Sequence, residues 1–124
     1  MKKVIATANA PKAIGPYSQA IEAGNLIFVS GQLPVDPATG KVAEGITAQT
    51  EQSLKNIKAI LEEAGCTMDN VVKCTCLLST MDDFAAMNEV YGKFFTGNYP
   101  ARAAFAVKTL PLGVSVEIEA IAAK

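Results

Sequence analysis

Two stripes of helical period, each set between runs of strand character, constrain this chain more than any other feature of its sequence. From Ile46 to Ala64 the apolar or small positions Ile46, Thr50, Leu54, Ile57, Leu61 and Ala64 recur at spacings of three and four, and Gly65 follows as a C-terminal stop. The spacing predicts an amphipathic helix. A second is predicted where Thr80-x-x-Asp83 offers a capping box and Phe84, Met87, Tyr91 and Phe94 line one face up to Gly97. Between them Val71 to Leu78 is rich in β-branched and apolar residues and reads as a mostly buried strand. Before the first helix, Lys3 to Thr7 reads as a short strand, ended by the breakers Asn9, Pro11, Gly15 and Pro16. Tyr17 to Ala23 and Leu26 to Gln32 flank Gly24-Asn25, a hairpin signal, and Pro34, Pro37, Gly40 and Gly45 mark the loop that follows. After the second helix come strands at Ala103 to Val107 and Val114 to Ala122.

The order βββαβαββ is an α+β pattern, expected to give a six-stranded mixed sheet with two helices on one face. No repeat or linker-like shift in composition breaks it, and 124 residues suit one domain, 1–124, with one core. Helices on one face leave the other face open. With hydrophobic residues at 50%, that face is expected to be covered by another copy of the chain, which predicts a homo-oligomer.

Charge and composition narrow the function. Eleven Lys and Arg against twelve Asp and Glu leave a formal charge of -1. The pI is about 5.4, so there is no electrostatic footprint for nucleic acid or for an anionic membrane. No apolar run approaches the roughly 20 residues needed to span a bilayer. The chain has no histidine, which removes the Ser-His-Asp triad, the Cys-His dyad and the H-E-x-x-H zinc site. Acid-base chemistry must then use carboxylates, Tyr, Lys or water. The N-terminal segment lacks the continuous apolar stretch of a secretory signal, and three cysteines, an odd number, agree with a reducing compartment; the chain is expected to be cytoplasmic.

Few residues are candidates for chemistry. Cys74 and Cys76 share one face of a strand, but with Cys66 they make only three thiols, short of a structural zinc set, and they read as small buried hydrophobes; no metal is expected. In the last strand Val114, Val116, Ile118 and Ala120 point one way, Glu117 and Glu119 the other. Arg102 is the only arginine and is flanked by alanines, so it is either a buried ion-pair partner or a clamp for a carboxylate. Tyr17 follows Gly15-Pro16 at a loop-to-strand junction, where it either reaches a cleft or packs in the core. Gly31 either admits a ligand to the backbone or marks a bulge, and Asn88 lies near the apolar face of the second helix.

The segments GPYSQAI, FVSGQLPVDPATG, QTEQSLKNIKAILEEAG and above all PARAAFAVKTLPLGVSVEIEAIA resemble the Rid family of reactive intermediate deaminases, also called the YjgF family. The likeness runs from about Lys3 to Ala123 and is closest to the branch of 2-iminobutanoate/2-iminopropanoate deaminases. The resemblance implies a chorismate-mutase-like α+β fold and a homotrimer whose inner sheets form a barrel, with clefts between subunits. It implies hydrolysis of 2-imino and enamine acids (2-aminoacrylate/2-iminopropanoate and 2-iminobutanoate), released by pyridoxal-phosphate enzymes, to 2-keto acids and ammonia without cofactor or metal. Arg102 matches the family's carboxylate-binding arginine and Glu117 the glutamate associated with the hydrolytic water. Tyr17, Gly31 and Asn88 match residues lining the cleft. Ala104 stands where relatives often carry cysteine, so only the main-chain carbonyl there can serve the substrate nitrogen.

Physical chemistry is consistent with these roles. A planar guanidinium fixes a small carboxylate and hence the imine carbon, and a general base is worth about 10²–10⁴ in rate. Whether burial raises or Arg102 lowers the Glu117 pKa is open at this level. Two other readings compete. A pericyclic catalyst of the chorismate-mutase type would need several cations around a dicarboxylate, and one arginine makes that hard to build. A non-catalytic small-ligand-binding or holdase-like trimer would be favoured by an Arg102 outside any cleft.

Overall fold

The computed structural model describes residues 1–124. Its strands are β1 (Lys2–Ile5), β2 (Ala20–Ala23), β3 (Leu26–Gln32), β4 (Val71–Leu78), β5 (Ala101–Ala106) and β6 (Val116–Ala123), and its helices are α1 (Ile46–Glu63) and α2 (Phe84–Gly92). They form one six-stranded sheet in the order β1-β2-β3-β6-β4-β5, as the α+β reading expects. Only β4 and β5 are parallel, joined through α2; every other pairing is antiparallel. None of its helices is long and apolar enough to cross a membrane.

Alternation along each strand sends one set of side chains to the helices. Ile27, Val29, Cys74, Cys76, Leu78, Val116, Ile118, Ala120 and Ala122 meet Leu54, Ile57, Ile60 and Leu61 of α1 and Met87 and Tyr91 of α2 in one cluster of 23 buried residues. All three cysteines are buried and free, and desolvation pushes the Cys76 thiol up to about 12, so it packs as a small neutral group. The opposite face keeps apolar groups in solvent, with Phe28 43% and Phe105 47% exposed.

Several element ends differ from expectation. Tyr17 to Gln19 is not strand: the Tyr17 N–H donates to the Gly15 carbonyl at 2.8 Å in a tight turn. The buried Gln19 amide ties the loop instead, accepting from the Thr7 N–H at 2.7 Å and donating to the Pro11 carbonyl at 2.8 Å. β1 ends at Ile5 rather than Thr7, and β6 begins at Val116 rather than Val114. α2 stops at Gly92, well before Gly97, and one 3-10 turn over Met81–Asp83 precedes it. Thr80 caps that turn by accepting from the Asp82 N–H at 3.2 Å, but the expected reciprocal bond from the Thr80 N–H to the Asp83 carboxylate does not form. A complete capping box stands at Thr67 and Asn70, before β4. Beyond the helix Phe95 is buried whereas Phe94 is only half-buried, because the chain has left the helical path that would have set Phe94 in the stripe.

Candidate active site

Arg102 lies on β5, an edge of the sheet, in register with Cys74 of β4, and therefore on the helix face. There α2 presents Phe84, Asn88 and Tyr91, spaced four and three apart on one side of the helix. The Arg102 guanidinium carbon sits 4.9 Å from the Tyr91 ring centroid and 5.4 Å from that of Phe84, and Nη1 donates to Asn88 Oδ1 at 2.6 Å. The ion pairs of the chain are Lys55–Glu51 and Lys124–Glu22, so Arg102 has no carboxylate partner. It lines a cleft of about 430 Å³ with Asn88, Tyr91, Gly92, Tyr99 and Pro100. Ala104, the next residue of β5 on the same face, packs against the core.

Glu117 occupies the other face. It pairs with Leu77 of β4, one register step from the buried Cys76–Ile118 pair, and so points away from the helices. The register between β3 and β6 shifts between Val29 and Gln32, the bulge that Gly31 was one way of reading. A Cβ on Gly31 would overlap the Glu117 carboxylate oxygen and stand 2.9 Å from its carboxyl carbon, so the missing side chain is what makes room for Glu117. Desolvation, and then the neighbouring Glu119 charge, raise the Glu117 pKa above its ordinary 4.5. Arg102 of the same chain is not among the causes of that shift. Gly31 and Tyr17 line a second cavity of about 400 Å³ together with Ile14, Gln32, Leu33 and Leu112.

Gly31→Ala is accordingly expected to cost about 1–3 kcal/mol in stability, as overpacking does, and to displace the Glu117 carboxyl. Denaturant unfolding and a crystal structure of the variant check both. An unchanged Glu117 position would show that the sheet relaxes around the methyl group.

The family model described as Endoribonuclease L-PSP matches residues 7–124. A RutC family protein of Pyrococcus horikoshii is 58% identical over 125 residues, covering 100% of this chain and 99% of the relative. The 2-iminobutanoate/2-iminopropanoate deaminase of Mus musculus is 51% identical over 123 residues, 98% of this chain and 91% of the relative. The crystal structure of the YjgF gene product of E. coli superposes with a TM-score of 0.96 at 49% identity, covering 98% of each chain. The chain belongs to the Rid (YjgF) family.

Within this Rid chain the six residues singled out from the sequence fall into two groups. Arg102, Asn88 and Ala104 gather at the β5 edge, and Tyr17, Gly31 and Glu117 at the β3–β6 bulge and its adjoining loop. Residue rise and strand spacing put the Arg102 and Glu117 backbones about 14 Å apart, on opposite faces of the sheet. An ion pair between them within one chain, left open by the sequence, is thereby ruled out. Sequence reasoning missed Phe84 and Tyr91 as neighbours of Arg102, placing both in the core stripe. The available signal was that Phe84, Asn88 and Tyr91 share a helical face, with Asn88 the one polar side chain among them.

Proposed function

We propose that this Rid protein hydrolyses 2-imino acids to 2-keto acids and ammonia, at sites completed where two copies of the chain meet in a homotrimer. The observation that carries the reading is a lone guanidinium with no carboxylate partner, held in a cleft by an amide and two aromatic rings. Such a group is built for an incoming carboxylate. The relative named 2-iminobutanoate/2-iminopropanoate deaminase supports the substrate class. The apolar open face, with Phe28 and Phe105, supports association, and association through that face is the means by which the Arg102 group of one copy can meet the Glu117 group of the next.

Arg102 binds the substrate carboxylate, and Asn88 of the same chain and Tyr17 of the next copy bound the space around it. β5 is a sheet edge, so main-chain groups on its outer side have no partner strand, and the Ala104 carbonyl accepts from the substrate nitrogen. Glu117 takes a proton from water as the water oxygen adds to the carbon of the protonated imine, giving a neutral tetrahedral carbinolamine. The same carboxyl, now protonated, returns the proton to nitrogen; as the carbon–nitrogen bond breaks and the carbonyl forms, the carbinolamine hydroxyl gives its proton to the Glu117 carboxylate, which passes it to the departing ammonia. A raised Glu117 pKa suits the second step, because the acid form is held long enough to donate. 2-Aminoacrylate enters after tautomerising to 2-iminopropanoate.

The test generates 2-aminoacrylate with a dehydratase and follows pyruvate formation with and without the protein. Acceleration at micromolar protein is expected; its absence, with pyruvate binding intact, would favour the non-catalytic binding trimer. Light scattering is expected to give three times the chain mass of 13.0 kDa. A monomer at micromolar concentration would refute sites shared between copies.

A further inference from the structure

The groups that the reaction scheme leaves unused lie beneath Arg102. This side chain is long, lies on an edge strand and is exposed, and its neighbours Ala101 and Ala103 offer no lateral support. Left alone it would spread over many rotamers, and aligning a small substrate would then cost the entropy of ordering it. The protein instead places it against two rings. Tyr91 is 4% exposed, its ring is tilted against Phe95 at a centroid distance of 4.9 Å, and its hydroxyl is buried without a hydrogen-bond partner. Burial raises the Tyr91 pKa well above its ordinary value, so the ring stays neutral and unmoved by pH. Phe84, half-buried at the start of α2, supplies the second ring.

We propose that Tyr91 and Phe84 are positioning residues for the deaminase reaction, an aromatic bracket that holds the Arg102 guanidinium in the orientation that receives the substrate carboxylate. The proposal rests on the functional reading above and adds to it the means by which one exposed arginine becomes preorganised. Contact through the ring faces leaves the in-plane N–H groups free. Asn88 Oδ1 takes one donor at Nη1, and the others remain for a bidentate carboxylate. Asn88 fixes the rotation of the guanidinium plane and the two rings fix its position; the three come from one face of α2, so the helix acts as a single mould. The same rings also thin the water around the charge, which strengthens its attraction for an anion.

Because Arg102 is the only arginine, its Nε–H pair is the one guanidinium Nε signal in a nitrogen-15 spectrum. The test follows that signal and pyruvate affinity in Tyr91→Leu, Phe84→Leu and Tyr91→Phe. In the unaltered protein the signal is expected to be shifted by the rings and to relax as a rigid group. Each leucine variant is expected to move it toward the position and mobility of a free arginine side chain, to weaken pyruvate binding about 5- to 30-fold and to raise KM more than it lowers kcat. Tyr91→Phe keeps the ring and is expected to keep both signal and affinity. A folded Tyr91→Leu protein with an unchanged Arg102 signal would overturn the proposal. Should that variant fail to fold, Phe84→Leu, at a half-buried ring, decides alone: an unchanged signal overturns and a mobile one upholds. If the unaltered protein neither binds pyruvate nor deaminates, the functional reading fails while the spectrum still reports whether the bracket holds Arg102.

Discussion

Arg102→Ala is expected to lower kcat/KM by at least about 10²-fold and to weaken 2-keto acid binding, because charge-assisted bonds and the alignment they impose vanish together. Stability should change little: the side chain is exposed, forms no ion pair in the chain and gives up one bond to Asn88 and its contacts with Phe84 and Tyr91. Arg102→Lys should rescue poorly, since an ammonium has neither the flat surface that lies on the rings nor paired donors. Steady-state kinetics and calorimetric titration with pyruvate measure both effects. Unchanged pyruvate affinity in Arg102→Ala would remove Arg102 from the carboxylate site.

Glu117→Gln separates chemistry from folding. It preserves shape but removes the proton acceptor, so kcat should fall by about 10²-fold or more while pyruvate affinity barely moves. Its effect on stability has the opposite sign. The folded chain holds the Glu117 proton more tightly than the unfolded chain, because the pKa rises from 4.5 on folding. That contribution is fully present below pH 4.5 and is lost as pH rises through the raised value. At pH 7 the ionised carboxylate is therefore a burden, and the amide variant should melt at the same temperature as the unaltered protein or higher. The acid limb of the kcat profile should lie above pH 4.5, the ordinary carboxyl value, and vanish in the residual activity of Glu117→Gln. A variant that loses activity by losing its fold would mean that the carboxylate is structural.

Much of the candidate site was legible because its members carry unusual chemistry in a plain background. A sole arginine between alanines, a glutamate on the polar side of an alternating strand and a glycine at a strand end stand out by residue type. Their relationships did not. The loop around Tyr17 is held by Gln19, whose side-chain amide spans sequence separations of up to 12 residues, and no local pattern announces that. Phe84 and Tyr91 have the spacing of core residues, and only the position of Arg102 on β5 brings its guanidinium over their rings. Gly31 had two open readings; the register shift shows the bulge, and the space that a side chain would need there is taken by Glu117.

The sequence by itself determined the strands, the two helices, their order and the core face of each, since period two and period 3.6 are local properties that a chain carries wherever it packs. It also determined the chemical vocabulary: one guanidinium, carboxylates and no imidazole. Only the tertiary structure decided that β6, last in the chain, lies between β3 and β4, because long-range pairing is chosen by which strand can satisfy hydrogen bonds on both edges while burying one whole face. That insertion brings Glu117 against Gly31, and the parallel crossover through α2 carries Arg102 to the outer edge and the opposite face. The separation of the two groups follows from strand order and the pleat, neither of which is written in any single segment.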